Sequence, residues 1–315
     1  MATSGVSTFN ATRNQIIRNA ALLLKAVGAN AAMNSVMIDD FAFGLNAMVK
    51  RWQAGPNPIH LWTTSEATLF PQPGQIRYAA GTGAADHITD SYVDTETSAD
   101  EALGQTVISI EDPTGMTAAD HIGIVLDDGT LQWTTIASVG ATTVTLDDAL
   151  TDSVTAGNKV FAYTNKIPQP LKVIDYRRFD IDGDTDTPVF PVARLDYQNI
   201  PLKTAPGSLN QVYYDRQLGT GYFHLWQVPG AVSELLKFTY RRPIMDFSSA
   251  ANNPDLPQEW IQALYYNLAF VMAPQFHVEE AQFRRIERMA AMFLDDMMAF
   301  DREDESLFIQ PDIRG

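Results

Sequence analysis

Between Tyr240 and Val278 the chain passes from an extended apolar stretch to a helical one, with prolines at both joints. Tyr240-Arg241-Arg242-Pro243 closes a strand, a polar loop follows, and Leu256-Pro257 opens a helix that Pro274 interrupts. Trp260, Ala263, Leu264, Asn267, Leu268 and Val271 recur at helical spacing, which predicts one packed face. Asp255, or the loop before it, is placed to cap the start, and Pro257 sits where a missing N–H costs least. The plainest reading is a core helix fed by a strand.

Two further helices precede it. Thr12 is a candidate N-cap for a stripe of Ile16, Ile17, Ala20, Leu23, Leu24 and Val27, with Gly28 as the residue that ends it. Ser35 is a candidate cap for Ile38, Phe41, Ala42, Leu45, Met48, Val49 and Trp52, and Gly55-Pro56 stops that run. A short connection between helices favours an antiparallel pair. Each large apolar side chain fully buried contributes roughly 1.5–3 kcal/mol, so both stripes need a partner. The natural partner is a C-terminal helix from about Val278 to Phe300, lined by Phe283, Ile286, Met289, Ala290, Phe293 and Met297.

The middle of the chain reads differently. Residues 59–78 suggest two strands about a turn at Pro71 and Pro73-Gly74, and Ala79 to about Ser98 reads as an exposed linker rich in Gly, Ala, Thr, Ser and Asp. Short strands are expected at Thr106–Ile110, Ile122–Leu126, Leu131–Val139, Thr142–Leu146 and Lys159–Tyr163. Residues 79–165 hold fourteen acidic side chains and one Lys, a net of −13 out of −16 for the whole chain. The segment therefore reads as an acidic all-β module, barrel or sandwich, inserted in a loop of the main domain. Further strands follow at Leu171–Phe179, Gln211–Asp215, Gly221–Val228 and Leu235–Thr239.

Composition sets limits on function. A chain of 315 residues with 45% hydrophobic side chains holds one large domain or two ordinary ones. No run of eighteen apolar residues predicts a membrane span, and the N-terminal stretch lacks the pattern of a signal peptide. The absence of cysteine excludes disulfides, thiolate metal sites and cysteine nucleophiles. So acidic a chain is not expected to grip nucleic acid, which takes clustered Lys and Arg.

Candidate chemistry is sparse. Asp180, Asp182, Asp184 and Asp186 invite a calcium reading, but an EF-hand needs Gly sixth and Glu twelfth, where this chain has Thr185 and Pro191. A turn is the simpler reading, with a weak cation site as the alternative. His60, His87, His121, His224 and His277 include no pair at helical zinc spacing. There is no G-x-S-x-G elbow and no P-loop, and Gly81-Thr82-Gly83 is too short to hold a phosphate. Glu259 with Glu279 or Glu280 is a conceivable carboxylate pair for a hydrolase, although a Glu near a helix start follows from the helix dipole alone. Arg241-Arg242 reads as a surface or interface pair, and Trp52, Trp62, Trp226 and Trp260 as core or interface anchors.

The order of parts resembles the adaptor proteins that close the DNA-filled head of short-tailed bacteriophages, also called tail accessory factors or head-to-tail connectors. The likeness rests on four places. They are Ser35 through Phe41, Leu45, Asn46, Met48 and Trp52; Asp184-Thr185-Asp186-Thr187-Pro188; Val212-Tyr213-Tyr214-Asp215 with Leu225-Trp226-Gln227-Val228-Pro229; and Tyr240-Arg241-Arg242-Pro243 with Leu256-Pro257 and Tyr266-Asn267-Leu268-Ala269. It covers most of the chain outside residues 79–165.

The resemblance implies a virion protein without catalysis, and the residues themselves give no expectation of a cofactor or of a metal beyond the weak cation alternative. It implies a homo-oligomeric ring, of twelve copies, stacked under a portal. Such a ring extends the channel through which double-stranded DNA passes and offers a platform to tail nozzle and to fibre or spike proteins. The expected fold is α+β: a helical main domain with a small antiparallel sheet (1–80 and 166–300), the inserted β module (81–165) and a docking tail (301–315). Residues 275–315 are expected to face the portal. Leu307, Phe308, Ile309, Phe300, Arg241 and Arg242 are the expected contacts with portal or neighbour. The competing expectations are a virion-carried cell-wall hydrolase using carboxylates and a glycan- or fibre-binding β module.

Overall fold

The computed structural model describes residues 7–55, 58–81, 83, 86–181 and 183–302. Its helices are α1 (Arg13–Leu23), α2 (Ser35–Ala54), α3 (Arg194–Gln198), α4 (Trp260–Met272) and α5 (Glu280–Phe300). The first strands are β1 (Thr64–Leu69), β2 (Arg77–Ala80), β3 (Ile88–Thr89), β4 (Val93–Glu96) and β5 (Val107–Ser109). Next come β6 (His121–Val125), β7 (Leu131–Val139), β8 (Thr143–Leu146), β9 (Lys159–Tyr163) and β10 (Lys172–Asp180). The last are β11 (Thr185–Pro188), β12 (Phe190–Pro191), β13 (Gln211–Arg216), β14 (Gly221–Trp226) and β15 (Glu234–Arg241). The chain divides into two compact units, residues 1–63 with 243–315 and residues 64–242.

The first unit is helical, and α4 is its axle. Trp260, Ile261, Leu264, Leu268 and Met272 share a core with Ile16, Ile17, Phe41, Leu45 and Trp52, and Ile286 joins from α5. Trp52 and Trp260 meet with ring centroids 5.8 Å apart. At Gly44 a Cβ would lie 2.7 Å from the Met272 sulfur, so this glycine lets α2 and α4 approach. Buried Asn267 donates to the Ala263 and Ala290 carbonyls, each at 3.0 Å, and so stitches α4 to α5. Thr12 caps α1 as its sequence suggests, in a capping box with Gln15. Four local expectations shift. Lys25, not Gly28, takes the left-handed residue after α1. Asn34, not Ser35, caps α2, because its amide oxygen reaches the Met37 N–H at 2.7 Å. Asp255 accepts from the Met245 N–H instead of capping α4, and Val271 is 42% exposed.

The second unit is built of sheets. A five-stranded sheet runs β11-β10-β15-β1-β3 and a four-stranded one β12-β13-β14-β2. Alternation sends Leu69, Tyr78, Phe223, Leu225, Phe238 and Tyr240 into one shared core. A six-stranded sheet runs β4-β9-β6-β7-β8-β5. It curls until its end strands meet: Thr97 bridges Ile110, and the Glu111 N–H donates to the Glu96 carbonyl at 2.9 Å. Ile108, Ile122, Ile124, Val144 and Val160 fill its interior.

These sheets correct the expected fold class. The molecule is mostly β and is not a helical main domain carrying a β insertion; the helical bundle is one unit and the three sheets are the other. Two physical reasons explain the difference. The supposed linker contains β3 and β4, strands of two and four residues, too short to show a period of two. They are held by tertiary pairing, β3 on β1 and β4 on β9. The flanking strands, moreover, pair with one another (β1 with β15, β2 with β14) and so form sheets of their own.

Candidate functional site

The six-stranded sheet is apolar on both faces along β9. Val160 and Ala162 point to its interior, while Phe161 and Tyr163 point the other way and are equally buried. A strand apolar on both faces must be covered twice. The outer cover is an aromatic seam to the rest of the second unit. Phe70, just past β1, lies 5.1–5.3 Å from the rings of Phe161, Trp133 and Tyr92. His87, just before β3, stacks on Trp133 at 3.8 Å with the rings 3° from parallel. Its Nδ1 shares a hydrogen bond of 2.7 Å with the Tyr163 hydroxyl, and His121 of β6 meets it edge-on at 5.5 Å.

Burial drives the electrostatics of this seam. Desolvation first, then the Lys166 ammonium and His121, push His87 down from 6.5 to about 3. His121 is lowered by the same desolvation and by Lys166, and burial raises the Tyr163 phenol. The sign follows directly. Well above pH 6.5 His87 is neutral whether folded or not, so it contributes no pH dependence there. Below that the unfolded chain takes a proton that the fold refuses, and stability falls until about pH 3, by at most ~1.4 kcal/mol per pH unit. Urea midpoints compared at pH 7 and pH 4.5 should therefore drop in the wild type and drop less in His87→Phe. Equal drops would remove His87 from this role.

The residues singled out in the sequence are dispersed. Arg241 ends β15; its carbonyl accepts from the Leu171 N–H at 2.8 Å, and its buried Nε finds no hydrogen-bond partner among the described residues. Arg242 follows it, half-buried. Phe300 ends α5, half-exposed, with its ring stacked on Trp62 at 5.7 Å. Leu307, Phe308 and Ile309 lie outside the described residues. Asp301, placed by the sequence at the head of the tail, is only 3% exposed. Its carboxylate accepts from the backbone N–H groups of His60, Leu61 and Trp62.

Among the described residues the candidate chemical groups are not gathered at one place. Glu259 and Glu279 line different cavities, and Glu280 pairs with Arg284 one turn along α5. Asp180 pairs with Thr185 at the mouth of the β10–β11 hairpin and accepts from the Gly183 N–H at 3.1 Å, as a turn residue does; Asp182 lies outside the described residues. His87 and His121 are adjacent despite their distance in sequence. Among the described residues, no three of His, Asp or Glu gather as metal ligands, and no helix is long and apolar enough to cross a membrane. The seam itself went unread in the sequence. Its signal was there: Trp133, Phe161 and Tyr163 occupy the alternate positions that an outward, solvated face would fill with polar residues.

A family model described as SU10 adaptor protein matches residues 125–311, more than half of the chain. No curated protein matches. Among solved structures, the Gp54 tailspike of Acinetobacter baumannii bacteriophage AP22, in complex with A. baumannii capsular saccharide, is similar at 16% identity and a TM-score of 0.21. That likeness covers 24% of this chain and 15% of the tailspike.

Proposed function

The chain belongs to the SU10 adaptor protein family, and from that premise we propose that it forms a ring which binds a portal, extends the DNA channel and carries the tail parts. It is a structural component of a bacteriophage. The observation that carries the finer reading is the family match, which runs from within the six-stranded sheet through α5 into the C-terminal segment. The ring we assign has twelve copies, with double-stranded DNA passing through it without specific binding. Its tail-side partners are nozzle and fibre or spike proteins. No catalytic step is assigned to it.

Two features support the reading. The apolar side chains left at the surface of the helical unit include Val36 and Phe43 on α2 and Met292 and Phe300 on α5, which assembly would bury. The chain beyond Arg302 carries Leu307-Phe308-Ile309 after a charged run, a short apolar anchor of the kind that docks on a partner. We assign that anchor, with Phe300 at its root and Arg241-Arg242 as further contacts, to portal or neighbouring subunit.

The test is truncation. Because Asp301 is built into the helical unit, the cut belongs after Arg302. The protein ending at Arg302 should keep its circular dichroism and melting temperature while losing most of its portal affinity in a pull-down. Undiminished capture by the truncated chain would remove the tail from the interface.

A further inference from the structure

Two outward helix faces of the helical unit match one another in charge and spacing. On α2 the side away from the core carries Val36, Asp40, Phe43, Ala47 and Arg51, all exposed, with Phe43 at 77%. On α5 the outward side carries Arg285, Arg288, Met292, Asp295 and Asp296, again all exposed. Both sets recur at the three-, four- and seven-residue steps that keep side chains on one face. The other cations of these two helices are engaged: Lys50 pairs with Asp246 at 2.8 Å, and Arg284 pairs with Glu280.

The charges run in opposite orders. Along α2 the acid comes first and the base eleven residues later, from Asp40 to Arg51. Along α5 the base comes first and the acid eleven residues later, from Arg285 to Asp296. At 1.5 Å per residue each pair spans ~16 Å. Laid side by side and parallel, the two faces put Asp40 against Arg285 and Arg51 against Asp296. Antiparallel, each carboxylate would meet a carboxylate. In the parallel register Met292 stands opposite Ala47, seven residues from the matched end in both helices, and Phe43 stands opposite Arg288. A large side chain thus meets a small one, and the Phe43 ring lies along an arginine stem.

We propose that α2 of one copy packs in parallel on α5 of the next, in a second copy of this chain. The inference rests on the ring reading given above and names the contact that closes the ring. One chain carries both faces, so the contact is heterologous and repeats around a closed assembly. The apolar centre supplies the affinity, and the flanking charges set direction and register.

Full-length protein would be followed by sedimentation velocity under conditions where the wild type assembles, alone or on portal. D40R and R285E should each weaken self-association on the order of 10-fold, and the double variant should recover most of the loss. F43E and M292E should each stop assembly, and an equimolar mixture of the two should form dimers, since each supplies the face the other lacks. All four positions are exposed, so melting temperatures should stay near wild type. Wild-type assembly with no effect of these variants, or no rescue by the double, overturns the α2–α5 contact and leaves the ring standing. A wild type that never associates, with or without portal, overturns the ring and this contact with it.

Discussion

Phe70→Ala should lower the stability of the second unit by ~4 kcal/mol, among the largest effects of any single truncation here. The ring is 1% exposed and sits where the five-stranded sheet ends. It packs against Tyr92, Trp133 and Phe161 with centroids 5.1–5.3 Å away, and parallel to Tyr163 at 6.4 Å. Its loss removes transfer free energy and leaves a cavity that four other rings cannot close without breaking their own contacts. The seam is shared between sheets, so the damage should not stay local. Hydrogen exchange should rise together in β7 and β9, on one side, and in β1, on the other. An unfolding free energy from chemical denaturation lowered by less than ~1 kcal/mol would show that the seam is not a principal joint of this unit. For the same reason, excising the acidic segment between residues 85 and 163 would expose Phe70 and the strands it covers, so that deletion tests folding before it tests function.

Asp301→Ala should cost ~3 kcal/mol and fray the end of α5. Its Oδ1 accepts from the Leu61 N–H at 2.8 Å and the Trp62 N–H at 3.4 Å, while Oδ2 takes the His60 N–H. Hydrogen bonds to a charged acceptor contribute roughly 1.5–3 kcal/mol each, and three donors on one carboxylate do not add fully. Alanine strands those donors beside a buried site. Asn keeps one acceptor oxygen, and Asp301→Asn should lose about half as much. The readout that separates this role from a general loss of stability is local. Exchange should rise at residues 295–300 and in the turn Leu61–Thr63, while the stacking of Phe300 on Trp62 loosens. The functional consequence is equally direct, because Asp301 anchors the chain just ahead of the proposed docking segment. Portal capture should weaken in Asp301→Ala even though Leu307, Phe308 and Ile309 are untouched.

The helices were legible because they are long and one-faced. Ile16, Ile17, Ala20 and Leu24 on α1, and Phe41, Leu45, Met48 and Trp52 on α2, are buried as their spacing predicts. The strands β7 and β9 match their expected limits, since each is a run of β-branched, aromatic and other apolar residues bounded by turn residues. What was illegible was association. Nothing local in Phe70, His87 or Tyr92 announces that they will meet Trp133 and Tyr163, and strands as short as β3 and β12 exist only because a neighbour offers hydrogen bonds. The weight of β structure is therefore undervalued by the sequence, and a module inserted in a helical main domain is expected where the segment's aromatic face is in fact shared with other sheets. The caps slipped for a smaller reason. Asn34 stands next to Ser35, and either side chain can accept the first free N–H groups of a helix.

That the chain is a phage adaptor protein was legible through the ordered motifs within residues 125–311 rather than through any site. Tyr213-Tyr214-Asp215 and Leu225-Trp226 are neighbouring strands of one sheet, and Leu264, Leu268 and Ala269 lie at the centre of the helical core. Such residues specify a scaffold, and adaptor proteins are recognised by scaffold. Phe43 and Met292, by contrast, carry no motif and become visible only as exposed side chains on a helix face.

The most direct measurement is electron microscopy of the purified full-length chain mixed with portal particles of its own phage. The account predicts a closed ring of this protein seated coaxially on the portal, with density for the helical unit of each copy against the next. Particles showing bare portals beside a chain that stays monomeric at high concentration would contradict it.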